Sequence, residues 1–316
     1  MTTAKIDISV IVPLYNEEDS VAVLYAGIKG VLDKLSMSHE ILFVDDGSKD
    51  NTFLKAKSLA QADSSLRVIR FRKNYGQTPA MVAGIDHARG EVLITMDGDL
   101  QNDPTDIPRF LEQIAQGFDI VVGWRHNRQD KLISRKIPSR IANRLIGAVT
   151  GVPIKDNGCS LKAYRAAVIK KVPLYSEMHR FIPAMLSIAG VKIAEIKVQH
   201  HARRFGVSKY GLSRIYKVLL DLLTIKTLVS FLARPLWWFG SMGFICGIVS
   251  LLIFLVNLID YFQHGNYSVV FMGIALLLAT LATFLFLAGV LCDLIYRTGT
   301  VKQEHFSGLT ALTINL

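Results

Sequence analysis

Two uncharged apolar runs, residues 235–259 and 268–292, constrain this chain more than any other feature. Each is long enough for a helix to cross the hydrocarbon layer of a bilayer, which takes about 20 residues. Between them Asp260-Tyr-Phe-Gln-His-Gly-Asn266 carries no Lys or Arg, whereas Arg234 precedes the first run and Arg297 and Lys302 follow the second. The positive-inside rule then puts both flanks in the cytoplasm and a short hairpin loop outside. Trp237 and Trp238 stand where interfacial aromatic residues belong. Two core helices of a soluble protein are the alternative, and two successive uncharged runs of this length argue against it.

The chain has 316 residues, room for one large domain and an appendage. Hydrophobic residues make up 51% and charged ones 20%, and the apolar excess falls after residue 212. From 212 to 234, Arg214, Lys217, Asp221 and Thr224 recur at three- and four-residue spacing among Leu, Val and Ile. That is a basic amphipathic helix able to lie in the headgroup plane, or else a buried helix of the domain before it. The net charge of +10 comes with no helix-turn-helix or RNA-binding pattern, so nucleic acid is not expected. The basic residues gather in 125–144 and 203–226, as suits a membrane surface or an anionic lipid headgroup. Three cysteines make no disulfide framework, which fits a reducing, cytoplasmic setting for the part before the spans. Ile8-Ser-Val-Ile-Val12 is too short for a signal sequence, runs into Pro13, and reads as a first core strand.

Residues 6–124 alternate β-branched runs with helical stretches. The strands are expected at 8–12, 40–44, 66–71, 91–96 and 119–123, and the helices at 19–35, 52–62, 78–88 and 106–116. Such alternation predicts an α/β fold, a mostly parallel sheet with helices on both faces. Ligands in these sheets bind at the carboxyl ends of the strands. There the sequence places Pro13-Leu-Tyr-Asn-Glu-Glu18, Asp45-Asp46-Gly47-Ser48, Lys73-Asn-Tyr-Gly76 and Asp97-Gly98-Asp99-Leu-Gln101. Asn16 and Glu17 could bond a base and its ribose near Tyr15, or merely cap a helix. One of Asp45 and Asp46 reads as functional and the other as structural. Lys73 suits a diphosphate or base-edge contact, or a solvated surface. If the fourth strand runs on, Asp97, Asp99 and Gln101 share one side, and hard oxygen ligands there suit Mg²⁺ or Mn²⁺ carrying a diphosphate.

The ordered motifs PLYNEE, VDDGS, RKNYG and MDGDLQNDP resemble those of family 2 glycosyltransferases with the GT-A fold. The later DNGCSLKAYR and RRFGVSKYG, followed by two spans, are similar to the polyprenyl-phosphate glycosyltransferases, which include dolichol-phosphate mannose synthases, bactoprenol glucosyltransferases and undecaprenyl-phosphate aminoarabinose transferases. The resemblance covers nearly the whole chain and does not specify the sugar. It implies that Pro13, Tyr15, Glu17 and Asp46 bind the nucleoside of the donor, and the position of Lys73 after the third strand adds it to the donor side. Asp97, Asp99 and Gln101 would hold the metal and diphosphate, so that Asp99 acts in catalysis through the metal, and Asp156 would be the catalytic carboxylate beside the acceptor. Arg203, Ser208 and Lys209 would meet the acceptor phosphate. So would Arg125 and Arg135, the two chosen from seven basic residues between 125 and 144 that face one acid, Asp130. Their guanidinium groups match phosphate geometry, with a solvated helix face as the plain alternative. His200-His201 matches no motif.

The expected protein is therefore a GT-A domain (1–211), an amphipathic helix (212–234), two transmembrane helices (235–297) and a cytoplasmic tail (298–316). It would sit in the cell (inner) membrane with its catalytic domain in the cytoplasm. The expected reaction is inverting transfer of a sugar, glucose from UDP-glucose in first place, to undecaprenyl phosphate. GDP-mannose, UDP-N-acetylglucosamine or an aminoarabinose donor stand as alternatives. A processive polysaccharide synthase would show a longer membrane region and a Gln-x-x-Arg-Trp segment, and the chain has neither. A non-enzymatic subunit that recruits a flippase is the remaining rival, against which the intact acidic segments argue. A homo-oligomer is compatible with either.

Overall fold

The computed structural model describes residues 6–126, 147, 154–170, 182–183, 191–202, 235–266, 268–298 and 310–314. The chain divides into two compact units, residues 1–222 with 303–316, and residues 223–302.

In the first unit the described strands are β1 (Ile6–Leu14), β2 (His39–Asp45), β3 (Leu66–Phe71), β4 (Gly90–Thr95), β5 (Ile120–Trp124), β6 (Lys162–Arg165), β7 (Ile193–Lys197) and β8 (Thr310–Ile314). They form one sheet in the order β7-β5-β6-β4-β1-β2-β3-β8. Pairing is parallel for β1 with β2 and β4, β2 with β3, and β5 with β7. β6 and β8 run antiparallel to their neighbours. Val10, Ile11 and Val12 of β1 are all fully buried, because helices cover both faces and no polar alternation is needed. Those helices are α1 (Val21–Leu32), α2 (Thr52–Ala62), α3 (Gln77–His87) and α4 (Ile107–Ala115), with a short α5 (Ala166–Ile169) after β6. α1 buries Val21, Leu24, Ile28 and Leu32, the spacing of one helical stripe.

The expected elements up to residue 124 are all present, with ends moved by at most three residues. One shift matters: β4 stops at Thr95, one residue short of the expected end, so the strand alternation expected to put Asp97, Asp99 and Gln101 on one side does not reach them. The chain turns after them, with Leu100 at φ 61°. Alternation along a strand therefore does not set where these carboxylates point. Three strands were not expected. β6 and β7 are short and carry charged residues, and β8 comes from the stretch expected to be a cytoplasmic tail. Its pairing with β3 joins segments about 240 positions apart, which no local pattern announces.

The chain leaves β1 toward β2 and β3, then returns to place β4 on the other side of β1. This reversal opens a crevice outside the carboxyl ends of β1 and β4, the usual ligand position in such sheets.

The second unit contains two long helices, α6 (Pro235–His264) and α7 (Val269–Thr298), each long and apolar enough to cross a membrane. α6 overruns its expected end by five residues. Asp260 and His264 pair across one turn at 2.9 Å, and Gly265, at φ 68°, closes the helix by donating to the Tyr261 carbonyl. Asn257 and Ser268 close the hairpin reciprocally: the Asn257 amide donates to the Ser268 carbonyl, and the Ser268 N–H donates to Asn257 Oδ1, both at 3.1 Å. The amphipathic segment expected at 212–234 lies outside the described residues.

Candidate active site

Pro13 and Leu14 end β1 in register with Val44 and Asp45 of β2. Leu14 points into the core while Pro13 and Tyr15 stay partly exposed at the sheet edge. The following turn is laced to the β2 loop. Asn16 N–H donates to Ser48 Oγ (2.9 Å), Lys49 N–H to Asn16 Oδ1 (2.9 Å) and Glu17 N–H to Thr52 Oγ1 (2.7 Å). The Glu17 carboxylate accepts the Ser20 hydroxyl at 2.6 Å at the start of α1. Asn16 thus holds loop to loop.

At the end of β2 the two aspartates have different surroundings. Asp45 is fully buried, accepts the Ser48 N–H at 3.2 Å and lies 3.5 Å from Arg70. Asp46 grips the loop after β3: it accepts Tyr75 N–H at 2.7 Å, Gly76 N–H at 2.9 Å and the Asn74 amide at 2.8 Å. Burial drives the Asp46 carboxyl up to about 6 against the opposing pull of the Tyr75 and Gly76 amides. Gly47 makes this contact sterically feasible. Its φ is 67°, and a Cβ there would come within 2.4 Å of the Lys73 carbonyl carbon. Lys73 itself is exposed, its ammonium 5.2 Å from the Tyr75 ring centre.

The Asp97-Gly98-Asp99 turn is pressed against β1, since a Cβ on Gly98 would meet Leu14 at 2.6 Å. Asp97 N–H donates to Asn102 Oδ1 (3.1 Å), which also accepts the Ser160 hydroxyl (2.8 Å). Gln77, the first residue of α3, donates from Nε2 to Asp97 Oδ1 at 2.5 Å. Burial, and then the charge of Asp99 beside it, push the Asp97 carboxyl up from its ordinary range. Among the described residues no group of three or more His, Cys, Asp or Glu gathers to hold a metal, so this site offers two carboxylates. Gln101 gives its backbone N–H to Asp99 (3.2 Å), while its side-chain amide reaches the His201 carbonyl (3.4 Å). His201 in turn lies 2.9 Å from Asp103.

Asp156 is buried beneath Arg125. Arg125 Nε and Nη2 donate to its two oxygens at 2.7 and 2.9 Å, a bidentate pair. Burial alone would lower the Arg125 pKa, and the bond to Asp156 with its charge reverses this and raises it. Glu195 of β7 holds the Asp156 loop by accepting the N–H groups of Lys155 and Asp156 at 2.8 and 3.3 Å. Lys162, first residue of β6 and 2% exposed, donates to the carbonyls of Asn157 and Cys159. Arg135, Arg203, Ser208 and Lys209 lie outside the described residues.

Gln77, Glu195 and Lys162 are not among the residues expected from the sequence. Gln77 directly follows the Lys73–Gly76 motif, and Lys162 lies inside the Asp156–Arg165 motif, so both left a trace. Glu195 left none.

The sequence profile described as glycosyl transferase family 2 matches residues 9–173, just over half of the chain. The chain belongs to this family. A dodecaprenyl-phosphate galacturonate synthase of Rhizobium johnstonii is 45% identical over 303 residues, which cover 93% of this chain and 88% of that protein. An undecaprenyl-phosphate 4-deoxy-4-formamido-L-arabinose transferase of Aeromonas hydrophila is 36% identical over 280 residues, 85% of each. The fold is shared with glucosyl-3-phosphoglycerate synthase from Mycobacterium tuberculosis, solved with Mn²⁺, UDP and phosphoglyceric acid. The TM-score is 0.55 at 17% identity, over 71% of this chain and 78% of that one. The architecture is therefore GT-A, and the protein is a glycosyltransferase of the kind that its motifs resemble.

Proposed function

We propose that this family 2 enzyme transfers a sugar from a nucleotide diphosphate donor to a polyprenyl phosphate in the cell (inner) membrane, with inversion at the anomeric carbon. The observation that carries the reading is the Asp97/Asp99 pair at the β1/β4 crevice, pressed against Pro13–Leu14 at one end of the candidate donor site. The names of the relatives supply the lipid acceptor, and the two apolar helices supply an anchor in the membrane that holds it. Both flanks of the anchor, and the catalytic unit with them, would face the cytoplasm.

Two like-charged carboxylates, one already pushed toward its neutral form, form a site that favours a cation. Such hard oxygens suit Mg²⁺ or Mn²⁺, which Asp97 and Asp99 would hold beside the donor diphosphate. When bound, the ion would neutralise the leaving nucleoside diphosphate as a Lewis acid. Pro13, Tyr15 and Glu17 would line the nucleoside end, with Asp46 shaping it through the 74–76 loop and Lys73 near the phosphates. Gln101 joins them through Asp99.

The acceptor phosphate is mostly dianionic at neutral pH, since the second pKa of a phosphate monoester lies near 6. It needs little deprotonation before its oxygen attacks the anomeric carbon and the nucleoside diphosphate leaves. Asp156, with both oxygens on Arg125, would then act by fixing the guanidinium for that phosphate rather than as a base. Arg135, Arg203, Ser208 and Lys209 complete the acceptor side in this reading.

The galacturonate relative makes a galacturonate donor the first to test, ahead of glucose, mannose, N-acetylglucosamine and aminoarabinose donors. The purified full chain in detergent is incubated with undecaprenyl phosphate, Mg²⁺ or Mn²⁺ and each labelled donor, and the lipid phase is extracted. Label in the lipid phase that needs both the polyprenyl phosphate and the ion supports the proposal. Label in a polymer would make the protein a processive synthase. Donor binding without turnover across the panel would make it an assembly subunit.

A further inference from the structure

Asp97 has lost the support of a strand, because β4 ends two residues before it. Its side chain is held instead by α3. Gln77 Nε2 lies 2.5 Å from Asp97 Oδ1, and Gln77 is the residue immediately after the loop that Asp46 grips. An amide suits this position better than a lysine or arginine would. It orients a carboxylate by one hydrogen bond and brings no charge to compete with a cation at the same oxygens. Hydrogen bonds of this sort to ligating carboxylates fix their direction, and losing one costs about 10- to 100-fold in metal affinity.

We infer that Gln77 is a positioning residue for Asp97, and that Asp46, the 74–76 loop and Gln77 form one hydrogen-bonded path coupling nucleoside binding to divalent-cation binding. The inference rests on the donor-site reading above. A nucleoside that settles against the 74–76 loop steadies the start of α3, and with it the oxygen that receives the ion. The coupling is reciprocal, so the ion must tighten the nucleotide by the same factor.

The test uses the purified full chain in detergent and calorimetry with Mn²⁺, UDP and GDP, which needs no turnover. Gln77→Met keeps the length of the side chain and removes the donor. In the presence of whichever nucleotide the wild type binds, Gln77→Met is expected to bind Mn²⁺ about 10-fold more weakly. Its nucleotide affinity in EDTA should stay within about twofold of wild type, and the tightening of nucleotide by Mn²⁺ should shrink. Asp46→Asn combined with Gln77→Met should cost less than the sum of the single changes, as expected for members of one network. Wild-type Mn²⁺ affinity in Gln77→Met overturns the inference and leaves the donor reading intact. Equal losses of nucleotide affinity with and without Mn²⁺ also overturn it, since they mark a merely structural role at the start of α3. A wild type that binds neither nucleotide would overturn the donor reading, and this inference with it.

Discussion

In the α/β unit Ile8, Val10, Ile11 and Val12 are fully buried, whereas in the helix pair Val256, Phe262 and Phe284 are 66%, 77% and 69% exposed. The residue types are alike and their direction is reversed. In water, burial of apolar surface drives the fold and polar groups close over it. Helices built for lipid gain nothing by hiding apolar side chains from a medium as apolar as they are, so small contacts and polar pairs join them. The charges differ accordingly. The α/β unit buries the ion pair Arg67–Glu40 at 2.6 Å, with Ser9 Oγ and the Arg89 N–H also on Glu40. In the described part of the helix pair the buried polar residues are neutral, Ser250 and Asn257, each bonded across to the facing helix or its start.

The sharpest way to break this contrast is to remove half of the buried ion pair. Glu40→Gln leaves the Arg67 charge buried without its partner and should cost about 3–5 kcal/mol. Thermal unfolding of the full chain in detergent would show a large loss, and an unchanged midpoint would mean that water reaches the pair. Next comes the site itself. Asp99→Asn should lower sugar transfer by about 100-fold or more, the scale of losing a key electrostatic group, and EDTA should abolish it. Full activity of the variant without added metal would remove the carboxylate pair from the mechanism.

A smaller effect follows pH. The folded-state value of Asp46, about 6, lies above its ordinary 3.8. Its contribution to stability is therefore fully present below the ordinary value and is lost as pH rises through about 6. Binding runs the other way, because the ionised carboxylate is the stronger acceptor for the Tyr75 and Gly76 amides. Nucleotide affinity by calorimetry should fall severalfold from pH 7 to pH 5 in the wild type, beyond the fall seen in Asp46→Asn. Identical profiles would detach Asp46 from the effect. The smallest change belongs to the helix pair. Asn257→Leu removes the two hairpin bonds and should cost about 1 kcal/mol, given the modest strength of hydrogen bonds between membrane helices. A loss as large as that of Glu40→Gln would show that the hairpin is held as a water-soluble core is held.

The α/β alternation, the order of the strand-end motifs and the two apolar helices are legible in the unfolded chain. Each is a local property: a run of β-branched residues, a 3.6-residue stripe, or a length without charge. The rest depends on contacts that exist only once the chain is folded. Whether a carboxylate is free or gripped depends on partners far away in the chain. Asp46 is gripped from 74–76, Asp97 from Gln77, and Asp156 from Arg125. The same holds for β8, a tail by its position and a strand by its pairing with β3. Hydrogen bonds and ladder pairs form between whatever the fold brings within about 3 Å, and that proximity is not written in spacing along the chain.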